Sequence, residues 1–112
     1  MADCLFCQIV EGQVPATIIK KSPHAVAFRD VNPQAPTHVL VVPRQHIETL
    51  NDLDDARLLG QVLLLAREVA HAEGLAQRGY RIVLNTNRGA GQSVFHLHLH
   101  VLGGRALGWP PG

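Results

Sequence analysis

An excess of charge of either sign is missing from this chain: ten Lys and Arg stand against nine Asp and Glu, a formal net charge of +1 over 112 residues. With no strong overall field, the protein has no electrostatic means of holding duplex nucleic acid or an anionic membrane, so any anion must be caught by local groups. Long apolar runs are absent too. The longest span only a few residues, such as Val39-Leu40-Val41-Val42, and no basic segment followed by an apolar signal core opens the sequence. Cysteine is limited to Cys4 and Cys7, too few for a disulfide framework. Together these absences predict a cytoplasmic protein without a membrane or nucleic-acid partner. In a reducing cytosol the Cys4/Cys7 spacing reads as metal ligation, redox chemistry or plain burial. The length suits one domain, 1–112, with a single core.

What is present is organised by periodicity. Residues 4–11, with Asp3 as cap and Gly12 as stop, predict a short helix. Residues 16–19 and 24–28 read as a hairpin around the Lys20-Lys21-Ser22-Pro23 turn. The two prolines of Asp30-Val31-Asn32-Pro33-Gln34-Ala35-Pro36 make a loop entering a strand over 37–42, which Pro43 closes; His38, Leu40 and Val42 share one face. Leu58, Leu59, Val62, Leu63, Ala66, Val69 and Ala70 recur at helical spacing between Asp54-Asp55 and Gly74, giving the one long helix. Leu65 widens its apolar face, a hint of surface left for a second subunit. A strand over 80–84 and an Asn- and Gly-rich loop, 85–93, complete an α+β domain on an antiparallel sheet.

The most informative segment is His96-Leu97-His98-Leu99-His100. A strand turns every second side chain to the same side, so the alternation predicts a strand over 95–101 with three imidazoles on one face and Phe95, Leu97, Leu99 and Val101 on the other. His24 and His71 lack such a pattern and read as ordinary surface residues. Three imidazoles in a row point either to a metal or to acid–base and nucleophilic chemistry, and spacing alone leaves both open. The preceding loop, with Gly91 and Ser93, adds backbone N–H groups and a hydroxyl suited to phosphate oxygens. A neutral imidazole attacks phosphorus without a metal.

The motif His96 to Leu102 resembles the signature of the histidine triad (HIT) nucleotide-binding family. The likeness extends through residues 30–38, 91–95, Gly103-Gly104-Arg105 and the Trp109-Pro110-Pro111-Gly112 end, and favours the family's Hint branch. The resemblance implies a HIT-like fold with an antiparallel sheet of about five strands, one long helix and a short N-terminal helix. It implies a homodimeric hydrolase that splits the P–N bond of purine nucleoside phosphoramidates, AMP joined to an amine, with acyl-adenylates and GMP derivatives as related ligands. By matched position His98 would be the nucleophile, forming a nucleotidyl-histidine intermediate. His100 and Ser93 would bond phosphate oxygens or the leaving group, Asn85 and Gly91 would cradle phosphate, His38 would support the triad, and His96 would be structural or supporting. Asp30 corresponds to the ribose-binding carboxylate, although as a residue it also suits a turn before Asn32-Pro33. Leu5, Phe6, Ile9, Val14, Phe28 and Val31 match the base pocket, and Trp109 would shape leaving-group choice across the dimer.

Some relatives complete the Cys4/Cys7 pair with histidines matching His46 and His96, which implies a structural zinc; catalysis itself would need no cofactor. Arg88 and Arg29 depart from the family pattern and read as solvated loop residues, with Arg88 also able to draw in acidic leaving groups. Two rival functions remain: a nucleotide-binding regulatory or scaffold protein with incidental catalysis, and a zinc hydrolase using the triad as ligands.

Overall fold

Every residue of the strand Thr37–Pro43 is buried, because it lies in the middle of a sheet covered on both faces. The computed structural model describes residues 3–112. In chain order the elements are α1 (Leu5–Val10), β1 (Ile18–Lys21), β2 (Ala25–Arg29), β3 (Thr37–Pro43), α2 (Ala56–Ala72), β4 (Tyr80–Val83) and β5 (Leu99–Gly103), with short 3-10 turns at Leu50–Asp52 and Arg88–Ala90. The strands form one five-stranded sheet in the order β1-β2-β3-β5-β4, and every adjacent pair is antiparallel. The chain leaves β3, crosses through α2 to the edge strand β4, and returns to fill the gap with β5. The architecture is α+β.

Strand parity divides the interior. Ala25, Ala27, Val39, Val41, Leu99 and Val101 face α2 and pack on Leu58, Val62, Leu65, Ala66 and Val69. The alternate residues Val26, Phe28, Leu40 and Val42 face the other way and pack on Phe6 and Ile9 of α1. Leu40 stands opposite His100, so the second face carries both core and chemistry.

α2 begins where the sequence places it. Asp55 caps it by accepting from the Leu58 N–H at 3.1 Å, and Gly74 follows its end with φ of +78°. Leu65 is buried in the core rather than spare; the leucines left exposed on α2 are Leu63 and Leu64.

Other boundaries move for identifiable reasons. The α1 cap is Cys4, whose sulfur accepts from the Cys7 N–H, and not Asp3. β1 covers 18–21 rather than 16–19, since Ala16 packs on the α1-side core and the turn is tied later, by Ser22 Oγ accepting from the N–H groups of His24 and Ala25. β5 starts at Leu99, four residues after the expected start. Beyond Val41 opposite Leu99, the next equivalent pair would match Leu97 with Pro43, which has no N–H to give. The Leu97 N–H donates instead to Ile47 O at 2.7 Å. His96 and His98 therefore lie outside the ladder, on the approach to β5.

A histidine cluster on one side of the sheet

Leaving the ladder separates the three histidines into two environments. A cavity of about 650 Å³ opens on the α1 side of the sheet, lined among others by His38, His98 and His100 but not by His96. His96 is fully buried beneath it. The row expected to surround one ligand is thus two rings plus His38 from β3, with His98 and His100 centroids 5.0 Å apart. Of the other residues singled out from sequence, Leu5, Phe6, Ile9, Val14, Phe28, Asp30, Val31, Gly91 and Ser93 all line this cavity. Asn85 and Trp109 do not. Val31 is 99% exposed and Leu5 47%, so both are apolar walls at its mouth with nothing covering them.

Hydrogen bonds assign each imidazole its tautomer. His98 Nδ1 lies 2.8 Å from His96 O, which can only accept, so Nδ1 carries the proton and Nε2 keeps its lone pair. His38 Nδ1 accepts from the Gln34 N–H at 2.9 Å, so its proton sits on Nε2. That Nε2–H donates to His100 Nδ1 at 2.9 Å, and His100 consequently bears its own proton on Nε2. The result is one imidazole with a free lone pair beside one with a free N–H. His96 donates Nε2–H to Pro43 O at 2.8 Å, which turns the lone pair of its Nδ1 toward the cysteines.

Burial keeps these rings neutral. It pushes the pKa of His38, His96 and His98 below the ordinary histidine value. His100, buried and beside His98 and His38, falls to about 4, with the Asp30 carboxylate opposing the shift. Asp30 Oδ2 is 3.3 Å from His38 Nε2, while its Oδ1 accepts from the Asn32 N–H at 2.9 Å. The turn role and the cavity-facing role of Asp30 are therefore compatible, one for each oxygen.

Among the described residues, two groups bring ligand atoms within 4.8 Å of one another: Cys4, Cys7, His46 and His96, and Asp30, His38 and His100. The first suits a soft divalent metal, because His96 Nδ1 offers a lone pair to Cys4 Sγ at 3.4 Å and Cys7 Sγ at 3.5 Å, and His46 Nδ1 lies 3.3 Å from Cys7 Sγ. The second does not. The Gln34 N–H holds the His38 proton on Nε2, the atom a metal would need, and the group is better described as a hydrogen-bond chain. His98 belongs to neither group.

Several contributors carry no sequence pattern. Gln92 is buried, accepting from the Asn87 N–H at 2.8 Å and donating to Glu48 O at 2.8 Å and Val94 O at 3.1 Å, which fastens the loop bearing Gly91 and Ser93. The Gln34 N–H acts through backbone alone. Leu40, another lining residue, was legible from its shared face with His38. Arg29 corrects the solvated-loop expectation: it forms a two-pronged pair with Glu73 at 2.8 and 3.1 Å, tying the end of β2 beside Asp30 to the end of α2. Arg88 lies over the Phe95 ring at 5.5 Å and stays exposed.

The HIT domain family model matches residues 11–107. The chain belongs to the HIT family. A HIT family hydrolase from Legionella pneumophila superposes with a TM-score of 0.95 at 52% identity, over 98% of this chain and 100% of that one. The purine nucleoside phosphoramidase of Escherichia coli K12 is 43% identical over 108 residues, 95% of this chain and 91% of its own length. An uncharacterised HIT-like protein of Synechococcus elongatus is 47% identical over 112 residues, 98% of this chain and 97% of its own. The protein is a HIT-family hydrolase, and its antiparallel sheet with one long helix and one short helix is the HIT fold.

Proposed function

We propose that this HIT hydrolase cleaves the P–N bond of purine nucleoside phosphoramidates by double displacement at His98. The observation that carries the reading is the pairing of tautomers: His98 Nε2 with its lone pair free, next to His100 with Nε2–H free, on one cavity wall. The similarity to a purine nucleoside phosphoramidase supports the substrate class. In this reading the base inserts between Leu5, Phe6, Ile9, Val14, Phe28 and Val31, the ribose hydroxyls donate to Asp30, and Gly91 and Ser93 hold the phosphate, whereas Asn85 lies outside the cavity lining. His98 Nε2 attacks phosphorus, the P–N bond breaks and the amine leaves with a proton; water then attacks the nucleotidyl-histidine, releasing AMP or GMP and restoring the imidazole. His100 hydrogen-bonds the phosphate oxygen or leaving atom, and His38 holds His100 in the tautomer that can do so. Acyl-adenylates place the same phosphorus before the same histidine.

Cys4, Cys7, His46 and His96 would hold a structural zinc, fastening α1 to the approach of β5; with all four positions protein-derived, it would stabilise without taking part in a step. The acting form is a cytoplasmic homodimer. The outer edge of β4 has no strand beside it among the described residues, and Leu63, Leu64 and Trp109 are exposed. Trp109, outside its own cavity, would then reach the partner's.

The test is turnover of an adenosine phosphoramidate by the parent protein and by His98→Ala, with mass spectrometry of acid-quenched enzyme. The parent should show a nucleotidylated histidine and the variant neither adduct nor turnover, a loss of at least about 10³-fold by the usual effect of deleting a nucleophile. Turnover by the variant at the parental rate would overturn the reading. Tight AMP binding without turnover by the parent would favour a regulatory binder, and activity abolished by a chelator would favour a zinc hydrolase.

A further inference from the structure

The loop between β2 and β3, residues 30–36, supplies both groups that choose the tautomer of His38. The Gln34 N–H faces Nδ1 from one side, and Asp30 Oδ2 lies 3.3 Å from Nε2 on the other. The loop is tied within itself. The Asp30 N–H donates to His38 O at 3.0 Å, the Asn32 N–H to Asp30 Oδ1 at 2.9 Å, and Gln34 Nε2 to Asn32 O at 3.1 Å. Displacing one part of it therefore displaces the rest.

Two contacts grip this loop from the residues that follow β5. Arg105 Nε donates to Gln34 O at 3.0 Å, while its Nη1 donates to Ala106 O at 2.9 Å and steadies the guanidinium. Gly104 packs on the same loop with φ of +91°, and a Cβ added there would stand 2.9 Å from Pro36 Cβ, closer than such atoms come. Both the backbone angle and the close approach require glycine. Gln34 is thus held by its carbonyl oxygen while its N–H faces His38.

His38 and His100 share one hydrogen bond that two arrangements of protons can satisfy. In the first, His38 Nε2–H donates to His100 Nδ1 and His100 keeps its proton on Nε2. In the second, His38 carries its proton on Nδ1, and His100 Nδ1–H donates to His38 Nε2. Only the first gives the cavity a free N–H at His100. The Gln34 N–H selects it, because a proton on His38 Nδ1 would meet that N–H head-on and leave two donors unpaired.

We infer that Gly104 and Arg105 are positioning residues, clamping the 30–36 loop so that Gln34 selects, through His38, the His100 tautomer able to donate into the cavity. The effect on rate rests on the proposed role of His100 at phosphorus; the effect on the tautomers stands without it.

The test compares two substitutions of one side chain. Arg105→Met removes the donor at similar length, whereas Arg105→Gln sets an amide N–H as many bonds from Cα as Nε and removes only the charge. ¹⁵N-resolved NMR should show the His38 and His100 rings each as a single Nε2–H tautomer in the parent and the glutamine variant, and as mixtures in the methionine variant. The single-turnover rate on an adenosine phosphoramidate should fall at least about twofold in Arg105→Met, the loss expected when half the molecules hold the wrong tautomer, and return to the parental value in Arg105→Gln. Gly104→Ala, with Arg105 intact, should shift the same ring signals by pushing on Pro36, and it decides the matter if the methionine variant folds poorly. Ring signals unchanged in both Arg105→Met and Gly104→Ala would overturn the clamp. A glutamine variant as impaired as the methionine one would overturn the Arg105–Gln34 hydrogen bond as its means. Mixed tautomers with an unchanged rate would uphold the clamp and overturn the part given to His100 in the reaction, while His98→Ala decides the nucleophile separately.

Discussion

A histidine becomes useful at neutral pH when its surroundings decide which nitrogen holds the proton, and here three carbonyl or amide groups make that decision. His96 O, Pro43 O and the Gln34 N–H each settle one ring. Burial adds the second requirement, neutrality. Because the folded pKa of His98 is lowered, its lone pair stays available where a free imidazole would already be protonated. The acid limb of kcat/KM should therefore lie below pH 6.5, and a limb at or above that value would contradict the burial argument. Stability follows the same sign. His100 titrates at about 4 when folded and near 6.5 when unfolded, so the unfolded chain binds the extra proton in between. Unfolding free energy should be constant above about pH 7 and fall toward pH 4, by an amount on the order of 2–3 kcal/mol from this group alone. Asp30, His38 and His98 are the titratable neighbours facing His100, and Asp30→Asn should lower its pKa further, as read by NMR titration.

At the level of elements, sequence pattern located the chemistry but not the contacts that orient it. Alternation placed His98, His100 and His38 near one face, and helical spacing with Asp55 and Gly74 located α2 to within two residues at each end. The start of β5 was hidden, because alternation continues through His96 whether or not a partner strand can supply hydrogen bonds. Pro43, sixty residues from Gly103, ends that ladder, and no local window contains both. Gln92 and the Arg29–Glu73 pair were hidden for the same reason: their partners lie far along the chain, at Glu48 for Gln92 and across α2 for Arg29. That ion pair is only partly buried, with Arg29 at 40% and Glu73 at 19% side-chain exposure, so its worth is modest despite two good bonds. A double-mutant cycle with Arg29→Met and Glu73→Gln should give a coupling of about 1 kcal/mol in chemical denaturation. The variants should also raise KM more than they lower kcat, since Asp30 follows Arg29 directly. A coupling near zero would mark Arg29 as the solvated residue its sequence context suggested.

Taken whole, the molecule has one side committed to chemistry and another with surface to spare. The α1 side of the sheet holds the cavity, and α2 covers the opposite side, burying Leu58, Val62, Leu65 and Val69. What α2 does not bury is informative: Leu63 and Leu64 are 46% and 49% exposed on its outer surface, and among the described residues β4 is paired on its β5 side alone. An open strand edge and exposed leucines on a chain with a net charge of only +1 are liabilities unless a second copy covers them. A stable pairing needs about 800 Å² from each copy, more than two leucines supply, so the edge and helix must act together. Sedimentation equilibrium should return a dimer mass at micromolar protein. Leu63→Glu with Leu64→Glu should shift it toward monomer while leaving the far-UV circular dichroism intact, because neither side chain belongs to the core. Should the dimer also complete the active site through Trp109, the monomeric variant would still turn over an adenosine phosphoramidate but lose discrimination among leaving amines. A truncation after Leu107 would reproduce that loss in a protein that is still dimeric. Monomeric parent protein at high concentration, or unchanged selectivity in both variants, would leave each subunit with a self-sufficient cavity and the exposed leucines without this role.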